Sequence, residues 1–260
     1  RRIESGQNRT IKDIRRLKRS KGDAALLEGP HLVGEAIALG LALDPVLATA
    51  EFLGSPEGRA LHFPQEVLEV DSDLLASLSD ADAPKGLLAV ASLPRGGVEA
   101  LPRKPGGTWL YLDHVQDPGN LGAIARVAEA FGAAGIALSE GCCHPNHPRA
   151  LRGSAGSLLR LPTAIGVDAA ALTEHLAATS PPLGARWVAL AAPHVAGSTR
   201  LGDADLAGSL VFALGAEGAG LSPELFARAD LRITIPLAPP VESLNVATAA
   251  AIVLWERRRS

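Results

Sequence analysis

A chain of 260 residues with 47% hydrophobic content can bury one large or two small cores, and with aromatics at 3% those cores must be built from Leu, Val, Ile and Ala. Two adjacent cysteines, Cys142 and Cys143, exclude a disulfide framework, and no apolar run approaches the ~18 residues of a membrane helix. The net charge of −3 says little alone, but the N-terminus is basic rather than signal-like, so neither membrane span nor export signal is expected. A reducing cytoplasm is the expected location, and the lack of any methionine implies that the natural first residue is missing from this chain.

Charge is unevenly spread. Residues 1–21 hold nine basic side chains against Glu4 and Asp13, a balance of +7 that leaves −10 for the rest. Such a segment suits phosphate contact, and Arg9, Lys12, Arg15, Arg16 and Arg19 are its candidate phosphate-binding residues. A solvated helix face is the plainer alternative. Ile11, Ile14 and Leu17 repeat at helical spacing, with the arginines on the other faces. A strand is expected over 24–28, a helix from Pro30 to about Leu39, and strands over 45–49 and 66–70. Asp71 should cap a helix over 74–78, and 86–93 reads as a further strand. This alternation predicts a small α/β domain over residues 1–93 that carries no obvious catalytic group. Residues 94–107, with three prolines and four glycines, read as a linker, leaving 108–260 as the second domain.

Trp109–Leu112 reads as a buried strand that runs through Asp113-His114 into Asp117-Pro118-Gly119-Asn120 and a helix to about Phe131. A strand, a polar glycine-containing turn and a helix start together present backbone N–H groups and polar side chains to a ligand. Arg126, two turns into that helix, is either a snorkelling surface residue or an anion hook. After a strand over 135–139, the loop Cys142-Cys143-His144-Pro145-Asn146-His147 is too crowded for one tetrahedral metal site, and no metal is expected. Arg149 and Arg152 follow on a short helix as further candidate phosphate contacts, which would be RNA contacts under the family resemblance given below. A strand near 163–166, a helix over 169–177 and a strand over 187–191 continue the pattern.

Strand 210–214 enters Gly215-Ala216-Glu217-Gly218-Ala219-Gly220-Leu221, whose three glycines permit close backbone approach without matching a dinucleotide fingerprint. Strand 231–235 leads to Pro236-Leu237-Ala238-Pro239-Pro240-Val241-Glu242-Ser243-Leu244-Asn245 and a strongly apolar helix. Ser243 and Asn245 suit helix capping as well as function. The three loops 113–120, 214–221 and 235–245 all leave the carboxyl ends of strands, where open parallel sheets bind ligands.

Residues 117–126, 214–221 and 235–247 resemble, in order, the three motifs of the SpoU (TrmH-type) branch of the SPOUT RNA 2′-O-ribose methyltransferases. Residues 8–93 resemble that family's substrate-binding domain, akin to the ribosomal protein L30e fold. The resemblance implies an α/β fold with a trefoil-knotted parallel sheet, helices on both faces, an S-adenosylmethionine site and a homodimer whose active sites draw on both protomers. It implies cofactor contacts at Leu214, Gly215, Gly220, Ile235, Leu237 and Leu244, and a catalytic group of Asn120, Arg126, Glu217, Ser243 and Asn245. Ala238-Pro239-Pro240-Val241 is stiffer than the family's usual glycine-containing loop. The full-length N-terminal domain favours 23S rRNA as substrate over tRNA, the alternatives being a tRNA methyltransferase or a non-catalytic RNA-binding protein on the same scaffold.

Overall fold

The computed structural model describes residues 2–17, 22–178, 184–192, 195–216 and 218–259. The chain divides into two compact units, Arg1–Pro94 with His144–Arg160, and Arg95–Cys143 with Leu161–Ser260.

The first unit begins with a two-residue strand, β1 (Arg2–Ile3), and helix α1 (Arg9–Leu17), which buries Ile11 and Ile14 and exposes its basic faces. Strand β2 (Ala24–Glu28) passes directly into α2 (Gly29–Ala38), where Pro30 stands in the first turn and loses no hydrogen bond. Then come β3 (Leu43–Ala48), α3 (Ala50–Gly54) and α4 (Pro56–Ala60). Thr49 and Ser55 cap these two short helices by accepting from the N–H groups of Phe52 and Gly58. The series closes with β4 (Val67–Val70), α5 (Ser72–Ala76) and β5 (Leu87–Ser92). The sheet order is β1-β4-β3-β5-β2, with β5 antiparallel to both its neighbours, over a core that includes Ile11, Leu26, Leu47 and Leu88.

The second unit opens with β6 (Thr108–Asp113), α6 (Pro118–Ala130) and β7 (Gly135–Leu138). The chain then returns to the first unit for α7 (Pro148–Gly153) and α8 (Ser157–Arg160), an excursion absent from the sequence reading. Polar ties hold it there. Buried Asn146 donates through Nδ2 to the carbonyls of Gly22 (3.1 Å) and Leu93 (2.9 Å). Arg152 pairs with the buried carboxylate of Glu28 at 3.0 Å, and Arg160 with Glu35.

The second unit resumes with β8 (Thr163–Ala164), α9 (Ala169–Ala177), β9 (Arg186–Ala191), β10 (Thr199–Arg200), β11 (Leu210–Gly215), α10 (Pro223–Arg228), β12 (Leu231–Thr234) and α11 (Val246–Arg259). Its seven strands pair in the order β10-β12-β9-β11-β6-β7-β8, parallel throughout. Every residue of β6 is buried, as expected of a parallel strand covered on both faces. Trp109, Tyr111, Trp187 and Val211 form one face with Leu172 of α9 and Leu225 of α10, while α6 and α11 pack together elsewhere in the unit. Segment 94–107 is not a bare connector: Leu101 is buried in that core and Arg103 donates to the carbonyl of His175 at 2.9 Å. Among the described residues no helix is long and apolar enough to cross a membrane.

Candidate active site

A cavity of about 570 Å³ opens at the carboxyl ends of β9, β11 and β12. Its walls include the glycine loop after β11, the proline loop after β12 and the first turn of α11, and Leu214, Gly215, Gly220, Ile235, Leu237 and Leu244 all line it. Ser243 and Asn245 line it as well, beside Glu242. A further wall, Leu190 to Ala192 at the end of β9, escaped the sequence reading because nothing polar marks it.

The glycine loop folds back on itself. Gly220 N–H donates to the carbonyl of Ala216 at 2.9 Å, with Gly218 and Gly220 at φ +82° and +71°. A Cβ at Gly215 would lie 2.0 Å from the backbone carbon of Gly220, so only glycine permits this closure. The proline loop turns tightly, with Val241 N–H donating to the carbonyl of Ala238 at 3.1 Å.

Asn245 has two functions at once. Its Oδ1 accepts from the N–H groups of Ala247 (2.9 Å) and Thr248 (3.3 Å), capping α11. Its Nδ2 donates to Oδ1 of Asn120 at 2.9 Å. Asn120 sits in the first turn of α6, where its own N–H donates to the capping carboxylate of Asp117 at 2.9 Å. The first motif thus reaches the cavity through Asn120 rather than by lining it. Arg126 lies exposed on α6 without an ion-pair partner among the described residues. Glu217 lies outside the described residues.

The candidate RNA contacts belong to the first unit. Arg9 and Arg16 reach Asp13 at 3.8 and 3.5 Å on the exposed side of α1, and Lys12 is exposed beside them. Arg15 reaches across to the carbonyl of Gly6 (3.2 Å) and Oγ of Ser77 (3.3 Å). Arg149 is exposed on α7, and Arg19 lies outside the described residues. Arg152 differs from these. Besides its ion pair with Glu28, it donates to the carbonyl of Asp80 at 3.2 Å, so its guanidinium is spent within the unit.

Two groups near the sheet's carboxyl edge are perturbed. Tyr111, whose hydroxyl donates to the carbonyl of Val167 at 3.0 Å, is pushed up to about 12 by burial first, then by the negative charge of Asp113. Burial likewise raises the thiol of Cys142, which donates to the carbonyl of Leu112 at 3.2 Å. Among the described residues no group of His, Cys, Asp and Glu is arranged to hold a metal ion.

Parallel α/β topology with a mainly aliphatic cavity at the strand ends defines a small-molecule-binding α/β protein. Residues 107–255 match the model of the SpoU rRNA Methylase family, and residues 8–89 match the MRM3-like substrate binding domain. The chain belongs to the SpoU rRNA methylase family. It is 32% identical over 268 residues to an uncharacterised tRNA/rRNA methyltransferase of Synechocystis, spanning 99% of this chain and 93% of that protein. It is 29% identical to the 23S rRNA (guanosine(2553)-2′-O)-methyltransferase RlmP of Bacillus subtilis, over 98% of each chain. The AdoMet-bound rRNA methyltransferase of Sinorhizobium meliloti superposes with a TM-score of 0.84 at 30% identity, over 100% of this chain and 97% of that one.

Proposed function

We propose that this protein methylates a ribose 2′-hydroxyl of 23S rRNA, using S-adenosylmethionine. The observation that carries the reading is the Asn120–Asn245 bond, which couples the first motif to a polar side chain of the third that lines the cavity. The cavity suits the cofactor. Its volume of about 570 Å³ is of the right order for a nucleoside-sized ligand, and its walls combine leucines for an adenine with the bare backbone of a glycine loop for polar contacts. Leu214, Gly215, Gly220, Ile235, Leu237 and Leu244 would hold it.

When bound, S-adenosylmethionine supplies a methyl group activated by its sulfonium. The chain's task is to hold the ribose oxygen in line and to ease loss of its proton. The guanidinium of Arg126 offers hydrogen-bond donors and no acceptor, so it does not serve as a general base. It binds the neighbouring phosphate and stabilises developing negative charge on the ribose oxygen. Asn120, Ser243 and Asn245 orient ribose and cofactor by hydrogen bonds, and Glu217 orients Arg126 or its own loop.

The same reading includes a trefoil-knotted path, a homodimer and a cytoplasmic location. Support for the dimer comes from Trp255, 55% exposed on α11 and stacked edge-on against Phe131 just beyond α6, an apolar patch that a second copy would cover. The test is transfer of tritiated methyl from S-adenosylmethionine to 23S rRNA, then to tRNA, with nucleoside analysis of the product. A 2′-O-methylnucleoside from rRNA is the expected result. Label on a base, or on tRNA alone, would overturn it.

A further inference from the structure

Asp113 ends β6 with its carboxylate only 4% exposed, and no sequence motif marked it. In the sheet it stands opposite Gly215, the residue at which the glycine loop leaves β11. Its Oδ2 then accepts from the N–H of Ser222 at 2.8 Å, 109 residues away, where the same loop ends. One side chain therefore marks both the departure and the return of the loop. Among the loop's described residues the backbone tie is an amide–carbonyl bond from Gly220 N–H to Ala216, with Gly218 and Gly220 at positive φ. The bond from Ser222 is made to a side chain shielded from water, where a hydrogen bond is electrostatically stronger. The second oxygen of Asp113 lies 2.7 Å from Nδ1 of His114. His114, at φ +57°, begins the turn that leads to Asn120, and its N–H donates to Oγ of Ser139 at 3.0 Å.

We infer that Asp113 is a positioning residue for methyl transfer, its carboxylate closing the base of the glycine loop that walls the cofactor cavity. The inference rests on the reading of that cavity as the S-adenosylmethionine site. Asp113 touches neither the methyl group nor the ribose. It sets the loop through Ser222 and steadies the turn toward Asn120 through His114.

The discriminating measurement is calorimetric titration of S-adenosylmethionine into the full chain without RNA, beside kcat and KM with rRNA. Asp113→Ala should weaken cofactor binding about tenfold or more. Asp113→Asn should stay within about threefold of wild type, because an amide oxygen still accepts from Ser222 and its NH2 can face the other tautomer of His114. Ser222→Pro gives a second route if Asp113→Ala does not fold. Ser222 has φ −57° and ψ 144°, angles that proline adopts, so the change deletes the donor and sets a ring carbon against the carboxylate it served, breaking the tie from the loop side. It should reproduce the loss of cofactor affinity. His114→Ala removes the contact with one oxygen of Asp113 but keeps the bond from Ser222 to the other, so it should leave cofactor affinity within about threefold of wild type while lowering kcat. Wild-type affinity in folded Ser222→Pro or Asp113→Ala, with only a lower melting temperature, would make Asp113 a stabilising group and overturn the inference. A wild-type protein that binds no S-adenosylmethionine would instead overturn the proposed function, and this inference with it.

Discussion

Asn245 donates its Nδ2 to Oδ1 of Asn120 at 2.9 Å, joining residues 125 apart in the chain. The orientation of the amide follows from its other contacts: Oδ1 already accepts from two N–H groups of α11, so the NH2 must face Asn120. Asn245→Ala should therefore lose about 1 kcal/mol of stability from the missing cap and most of the methylation rate. Asn245→Ser should recover the cap but not the reach to Asn120. A melting temperature restored without activity, read by thermal denaturation beside the methyl-transfer assay, separates the two functions.

Arg126 stands exposed on α6, so its removal should barely affect the fold. Arg126→Ala is expected to change stability by no more than ~0.5 kcal/mol, to leave S-adenosylmethionine affinity unaltered, and to lower kcat by roughly 10²-fold. Near-normal methylation in this variant would remove Arg126 from the mechanism.

Arg9 and Lys12 project from α1 into solvent. If they contact phosphates, replacing each with alanine should lower the slope of log affinity against log salt by about one unit. Filter binding to rRNA fragments between low and moderate salt measures this, and cofactor affinity should stay constant. An unchanged slope assigns α1 to the solvated-face alternative.

Tyr111 is the single tyrosine of the chain, so its titration can be followed directly by tyrosinate absorbance. Burial holds its folded pKa at about 12, above the ordinary tyrosine value of about 10, so the native state retains a proton that the unfolded chain releases. The stability tied to this group is thus complete below about pH 10 and is lost as pH rises toward 12. Tyr111→Phe should flatten that alkaline decline, at a cost of about 1 kcal/mol near neutrality for the lost bond to Val167.

Arg152 pairs with Glu28, whose side chain is only 4% exposed, whereas the arginine retains 28%. Arg152→Ala leaves that carboxylate the bonds from Ser79 Oγ and the Asp80 N–H but takes away its cation, and should destabilise the protein by on the order of 2 kcal/mol, below the range for a fully buried pair. Arg152→Ala combined with Glu28→Gln should recover part of the loss. A variant with weaker RNA binding and an unchanged melting point would instead make Arg152 an RNA contact.

Strands and helices with a clear local pattern were legible in the sequence: β2 and α9 have the bounds that periodicity and capping predict. The cavity's glycine and proline loops were legible too, because a loop that must close on itself or stay stiff needs those residue types. Pairings between distant residues were not. Arg152 reads as a surface base until Glu28 is seen beside it, and the Cys142–His147 loop reads as crowded metal ligands, although Asn146 within it acts as a hydrogen-bond anchor. Asp113 looks like an ordinary strand end because its partner, Ser222, lies far along the chain. Of the three described strands with two residues, β8 was expected, whereas β1 and β10 are too short to show any period.

The excursion of residues 144–160 bears on how such proteins can be inherited or recombined. The amide that ties Gly22 to Leu93 and the cation opposite Glu28 are both encoded within the other unit's stretch of gene. A crossover near residue 94 would transmit the N-terminal unit without them. Grafted alone onto a foreign partner, residues 1–93 would arrive with the carbonyls of Gly22 and Leu93 lacking their amide donor and Glu28 lacking its cation, so this half is exchangeable only as two separate pieces moved together.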